Sequence, residues 1–388
     1  MIKRHIFTVA LATALLLGWA VQSEAKIVVT KEADYVVPVA VTGFSGEAES
    51  VLKFDLYVLG FDIVDPSKAE FVVSGSNNGR VEGRLTVSAT KDQVFARAYN
   101  GGSTRSQAHA LATDVVKQIR PELPSIFHGK IAYRVQQGGN AEIAVADFDG
   151  HNATVVTHDN TLVANPTWIP GHFALLYCSW KNGATQIFEH DLSSGSRRVF
   201  IHSPGSSFSP AVSPDGRKVA MVLDRNGTPN LYVADIDGGN LKQLTFAKDD
   251  VSGPSWAPNS QEIVFATRSG RATLTKVNVN GGSPQKLRVY GGNVYGNLTQ
   301  PNWSPDGKWI VFTCGSGPFS ICVAPSAGGE AKALVTGEDP CWAPNSRTVV
   351  FTREINHKPV LSLLDVPTKH VKDCTQNSGG CSQPAWAR

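Results

Sequence analysis

The stretch "SPAVSPDGRKVAMVL" (residues 209–223) has a grammar that returns at "QPNWSPDGKWIVFT" (300–313): Pro, any residue, a bulky apolar residue, a Ser-Pro-Asp-Gly turn, then an apolar strand. The same order opens "NPTWIPGHFALLYC" (165–178), "GPSWAPNSQEIVFAT" (253–267) and "DPCWAPNSRTVVFT" (339–352), and it is cut short in "QPAWAR" (383–388). The apolar anchor falls at Trp168, Val212, Trp256, Trp303, Trp342 and Trp386, at spacings of 44, 44, 47, 39 and 44 residues. A polar turn follows each strand. A second strand comes next, as in "NLYVADIDGG" (230–239) or "TLTKVNVNGG" (273–282), then a shorter one such as "LKQLT" (241–245) or "PQKLR" (284–288). Gly-Gly and Asp-Gly stand where tight turns need positive φ. About four strands in roughly 45 residues is the unit of a β-propeller blade, and the period-two apolar pattern excludes a helical solenoid.

The strand after the turn occurs six times: "IAYRV" from 131, "ALLYC" from 174, "VAMVL" from 219, "IVFAT" from 263, "IVFTC" from 310 and "VVFT" from 349. The first copy has no Pro-x-Trp before it, and the last Pro-x-Trp has no strand after it. The two fragments complement each other, so the C-terminal "PAWAR" is expected to supply the missing strand of the first blade and leave no long sheet edge open. In this reading the Trp anchors are apolar plugs between neighbouring blades, and Asp215 and Asp306 are turn residues rather than acids or bases.

Residues 26–125 do not share the period. "YVVPVAVTGF" (35–44) reads as a strand and "EAESVLKFDLYVLG" (47–60) as a helix; "FVVSGS", "GRLTVSA" and "QVFARAY" read as three strands. "SQAHALATDVVKQI" (106–119) is a helix with Ala108, Leu111, Ala112, Val115, Val116 and Ile119 on one face. The fold class expected is therefore two-domain: a small N-terminal α/β domain over 26–125, bounded by Pro121 and Pro124, then an all-β six-bladed propeller over 126–388 closed by the C-terminal strand. Residues 1–25 show a Lys3-Arg4 start, an apolar run from Ile6 to Ala20 and small residues near Ala25. They read as a secretory signal peptide, the alternative being a single membrane anchor. Beyond them no apolar run is long enough to cross a bilayer.

Composition narrows the function classes. With 36 Lys plus Arg against 33 Asp plus Glu and no basic block, nucleic acid is not an expected partner. The six cysteines suit an oxidising compartment. Cys314 and Cys322 flank one hairpin, Cys374 and Cys381 bracket "TQNSGG", and both pairs are disulfide candidates. No CxxC, HExxH, phosphate loop, dinucleotide fingerprint or GxSxG elbow occurs, so neither a cofactor nor a metal is expected, and an enzyme is not the reading. Asp147-Phe148-Asp149-Gly150 and Asp235-Ile236-Asp237-Gly238 lack the later carboxylates of a calcium loop and read as strand ends followed by Gly turns. The ten His read as surface or turn residues.

"LYVADIDGGNLKQLT" (231–245), the repeated Pro-x-Trp-Ser-Pro-Asp-Gly and the terminal "PAW" resemble the TolB family, periplasmic propeller proteins of the Tol-Pal envelope system. The order of parts is similar too, from "KIVVTKEADYVVPVAVTGF" (26–44) through "LGFDIVDPS" (59–67) to "GKIAYRV" (129–135). The resemblance implies a periplasmic binding hub, monomeric on its own, that supports outer-membrane integrity and envelope constriction. Its propeller rim would dock a peptidoglycan-associated lipoprotein. Carried onto this chain, the rim positions are Ser206, Ser207, Ser209 and Ser252, with Asp249, Asp250, Asn297 and Thr299 beside them. The N-terminal arm, comprising Lys26, Ile27, Val28, Val29, Thr30, Lys31, Glu32, Ala33 and Asp34, would engage a TolA-type inner-membrane protein by adding a strand to its sheet. An ordinary first strand of the α/β domain is the other reading of those residues. An exported propeller that binds a small ligand or glycan in its channel is the alternative function.

Overall fold

The computed structural model describes residues 35–225, 227–246, 249–374 and 379–387. The expected signal peptide and the arm Lys26–Asp34 lie outside them. The first domain runs β1 (Val37–Thr42), α1 (Gly46–Tyr57), β2 (Phe61–Ile63), β3 (Phe71–Ser76), β4 (Val81–Val87), β5 (Gln93–Tyr99) and α2 (Thr104–Ile119). Its sheet has the order β2-β1-β3-β4-β5, with β1 parallel to both neighbours and the remaining pairs antiparallel. β2 was not among the expected strands, because three residues carry no period. α2 begins two residues earlier than its apolar face suggests, because the Ser103 side chain caps it by accepting from Ser106 N at 3.2 Å. Ser103→Ala is expected to cost about 1 kcal/mol, read as a fall of about 2–4 °C in Tm for a chain of this size.

The second domain is a six-bladed ring of four-stranded antiparallel sheets. Blades two to six start at Val163–Trp168, Ser206–Val212, Asp250–Trp256, Asn297–Trp303 and Glu338–Trp342. In the first blade the innermost strand is Cys381–Trp386, paired antiparallel to Lys130–Gln137 with Trp386 opposite Ile131 and Cys381 opposite Val135. The chain's tail thus closes the ring, as the two complementary fragments required.

The recurring grammar has a physical basis at both ends of each inner strand. At its C-terminal end the Ser213 hydroxyl bonds to Asp215, while Asp215 Oδ1 accepts from Arg217 N and Ser213 Oγ accepts from Lys218 N. Ser304 and Asp306 repeat these contacts, and Gly216 and Gly307 take φ of 71° and 78°. Asp215 and Asp306 are turn residues, and their amides bond to Ser260 and Ser346 of the next blade. The Trp anchors fill the seams: Trp168 Nε1 donates to Ala385 O across the first two blades at 3.0 Å, and Trp256 Nε1 to Ala211 O at 2.8 Å. Upstream, the residue before each proline adopts left-handed backbone. These are Asn165, Ser209, Gly253, Gln300, Asp339 and Gln383, with φ between 51° and 58°, each at a β-bulge.

A disulfide joins Cys314 and Cys322 across the fifth-blade hairpin, with their Cα atoms 6.3 Å apart. The second expected pair, Cys374 and Cys381, is not joined: the two lie on the sixth and first blades as neighbouring thiols, burial chiefly and Cys381 in part raising the Cys374 thiol, and they donate to Leu361 O at 3.3 Å and Gly379 O at 3.5 Å.

The α/β domain sits on the face of the ring that carries the Ser-Pro-Asp-Gly turns. Tyr57 stacks on His370 with ring centroids 4.4 Å apart, Phe54 meets Phe148 edge-on, and Gly60 lies against Arg347 and Asp365. One apolar cluster runs from β1, α1 and α2 into the first and sixth blades and includes Trp386. Among the described residues, no element of the α/β domain packs on the opposite face of the ring.

Candidate functional site

That opposite face is where the inner strands begin. Ser206, Asp250 and Asn297 are the first residues of three consecutive inner strands and lie across from the ends of their hairpins, at Asp224, Arg268 and Gly315. Ser252 and Thr299 follow two residues further in, and Asp249 precedes Asp250. The structure therefore places Ser206, Asp250 and Asn297 at one level on one face, with Asp249, Ser252 and Thr299 beside them. Asp250 and Ser252 are exposed; Ser206, Asp249, Asn297 and Thr299 are half-buried, and Asn297 Oδ1 accepts from Ala272 N at 2.9 Å. Ser207 does not belong to this surface. It is buried, and its hydroxyl accepts from Ile187 N at 3.3 Å and lies 3.5 Å from Thr185 O in the seam with the second blade. Strand alternation turns it inward, where Ser206 faces out. Ser209 belongs to the channel instead, on the bulge before Pro210.

The channel is lined by the six bulges and encloses about 280 Å³. Its lining is polar and largely self-satisfied. Gln383 Oε1 accepts from Asn165 N at 2.9 Å, Gln300 Nε2 donates to Asp339, Gln300 Oε1 accepts from Thr313 Oγ1 at 2.7 Å, and Asp339 Oδ2 accepts from Gln383 N at 3.1 Å. Asp339 is the one carboxylate among the described lining residues. Burial, and then the charge of Glu338, lifts its pKa to about 6. Asp339 Oδ2 also accepts from Thr352 Oγ1 at 3.2 Å, so the polar groups of the described lining are bonded chiefly to one another.

Sequence reasoning missed the apolar part of the rim. Leu162, Trp180, Phe246, Tyr295 and Phe319 are all exposed, Phe246 at 81%. Each sits at the solvent face opposite the α/β domain: Leu162, Phe246 and Tyr295 lead into inner strands, and Trp180 and Phe319 follow the second strands of their blades. The signal was available as large apolar residues inside otherwise polar turn segments, "QLTFAKDD" and "GSGPFS". Apolar side chains gathered on one face of a rigid scaffold mark an interaction surface. A second departure concerns histidine: His109 and His190 are buried, at 7% and 4% exposure, rather than on turns or at the surface. His109 shares the apolar face of α2. Burial pushes the His190 pKa down to about 4.

A family model described as the TolB beta propeller domain matches residues 122–388. The Tol-Pal system protein TolB of Bordetella pertussis is 27% identical over 324 residues, covering 58% of this chain and 74% of that protein. The protein of the same name from Anaeromyxobacter dehalogenans is 26% identical over 295 residues, covering 66% of this chain and 68% of its own length. Among solved structures, TolB from Acinetobacter baumannii superposes with a TM-score of 0.77 over 92% of this chain and 97% of that one, at 19% identity. That likeness spans both domains and establishes the shared fold.

Proposed function

The chain belongs to the TolB β-propeller family, and from that premise we propose that it serves as a periplasmic, non-enzymatic binding hub of a Tol-Pal envelope system. In this reading the rim opposite the α/β domain docks the globular domain of a peptidoglycan-associated lipoprotein. The arm Lys26–Asp34 reaches a TolA-type inner-membrane protein, and the two contacts together support outer-membrane integrity during constriction. The observation that carries the rim assignment is the set of exposed apolar side chains there, Phe246 foremost, standing around the polar positions Asp250 and Ser252. Buried aromatic anchors with polar neighbours supply most of the energy at protein interfaces.

The test is calorimetric titration of the exported chain with the soluble domain of a peptidoglycan-associated lipoprotein. Replacing Phe246, Tyr295 and Phe319 together by Ser is expected to weaken binding by about a hundredfold, two tenfold steps at about 1.4 kcal/mol each. Phe173→Ser, near the turns on the other face, is expected to leave it unchanged. Undiminished affinity in the folded triple variant would sink the rim assignment. The channel's polar ring favours a second reading, a small polar ligand held beside Asp339 and Gln300. Under that reading Asp339→Asn, and not the rim triple, would abolish binding of the ligand.

A further inference from the structure

His109 joins the two domains at a point that rim docking does not use. Its Nδ1 lies 2.7 Å from Asp55 Oδ2 on α1, and its Nε2 lies 3.4 Å from Asp149 Oδ2, in the turn after the third strand of the first blade, Asn140–Asp147. Arg105, one helical turn earlier, also pairs with Asp149 and reaches Glu47 of α1 at 3.5 Å. Asp149 Oδ1 accepts from His151 N at 3.1 Å. The imidazole packs against Phe127 and Phe148, which also meet each other, and Phe148 in turn meets Trp386 of the closing strand.

The geometry assigns a protonation state. A neutral imidazole has one N–H donor and one lone pair, so one of the two facing carboxylates would meet a lone pair. Only the imidazolium carries a proton on each ring nitrogen, one in the hydrogen bond to Asp55 and one turned to Asp149 in the ion pair. We propose that His109 is a proton-dependent latch: charged, it holds the α1–α2 pair on the first blade and its closing strand, and loss of the proton releases that contact.

Deprotonation would leave two carboxylates in a buried site with Arg105 as the remaining cation, and an uncompensated buried charge is unfavourable even after the surroundings relax. Burial alone would lower the His109 pKa, but the bonds to Asp149 and Asp55 outweigh it and hold the pKa at about 9. Burial likewise works to raise Asp149, yet His109, the amide of His151 and Arg105 keep it at about 2, whereas burial dominates for Asp55 and lifts it to about 6. The Cys374 thiol, raised first by burial and then by the charge of Asp149, faces the cluster from the sixth blade. The contribution of His109 is therefore complete below its ordinary 6.5 and is lost as pH rises through about 9. That of Asp149 is present above 3.8 and is lost as pH falls through about 2. Asp55, whose pKa burial raises to about 6, contributes to the folded state as pH falls below that value, but through the α1–α2 contact and not through the propeller. The latch holds at neutral pH and loosens in alkali.

The test is amide hydrogen exchange of the exported chain between pH 6.5 and about pH 10, corrected for intrinsic rates. Protection in α1, α2 and the turn 148–151 is expected to fall by about tenfold, the effect of one pK unit, while the third and fourth blades hold. His109→Gln, which keeps a hydrogen bond and loses the charge, is expected to show the lowered protection throughout and no step. Should His109→Gln fail to fold, Asp149→Asn replaces it, and the step is expected at lower pH because one of the two anions that raise the His109 pKa is gone. A wild-type profile flat across the window, or the same step in the variant, overturns the latch.

Discussion

Deleting residues 381–388 is expected to abolish folding of the whole propeller, not merely to trim one strand. Cys381–Trp386 is the innermost strand of the first blade, and Ala387 N reaches back to Lys130 O at 2.9 Å. Without it, Lys130–Gln137 becomes an open edge next to the channel, and an unprotected edge recruits other chains. Trp386 is the side chain on which the closure turns. It is 3% exposed within the cluster that also holds the α/β domain, and Gly129 lies so close that a Cβ there would stand 2.5 Å from its Nε1. Trp386→Ala alone is expected to cost about 3–5 kcal/mol, a fall in Tm on the order of 10 °C for a chain of this size. The truncated chain should be recovered as aggregate. A soluble, monomeric truncation melting at the wild-type temperature would mean that the ring shuts without its tail.

How much of this was legible follows from how each feature is encoded. The blades were readable because three local devices recur together: a left-handed residue before proline, an aromatic plug and a Ser-Asp-Gly turn. Each constrains residue type at a fixed offset, as Gln300, Trp303 and Asp306 do in the fifth blade. Closure was readable from the two half-blades. The rim was read only in part, since its level follows from strand register but its exposure depends on alternation, which put Ser207 in a seam and Ser206 outside it. The apolar crown escaped because Phe246 and Phe319 belong to no period. His109 escaped for a different reason: it was visible on the buried face of α2 between Ala108 and Ala112, but its partners lie 54 and 40 residues away in sequence. Only the docking of the domains makes it a cation between two anions.

The interdomain contact also carries the second large effect expected on stability. Arg347, 5% exposed, and Asp365, fully buried, form a two-pronged ion pair in the sixth blade, with Arg347 Nη2 2.8 Å from Asp365 Oδ2 and Nε on Oδ1. Asp365 Oδ2 further accepts from Thr368 Oγ1 at 2.6 Å. Gly60, just past α1, lies directly on this pair at φ +80°, where a Cβ would come 2.5 Å from Arg347 Nη2 and 2.7 Å from Asp365 Oδ2. Asp365→Ala breaks this buried ion pair by removing one partner, and such a loss costs about 3–5 kcal/mol. The double variant Arg347→Met/Asp365→Leu removes both charges and fills the space, so it is expected to recover most of that loss in urea unfolding. Gly60→Ala is expected to be destabilised in the wild-type background, because its methyl group displaces the pair and must also adopt left-handed backbone. In the double variant only the backbone part of that cost should remain. Equal costs for Gly60→Ala in both backgrounds would show that the α/β domain does not bear on the ion pair, and the coupling between the two domains at this blade would have to be assigned to Tyr57 and His370 instead.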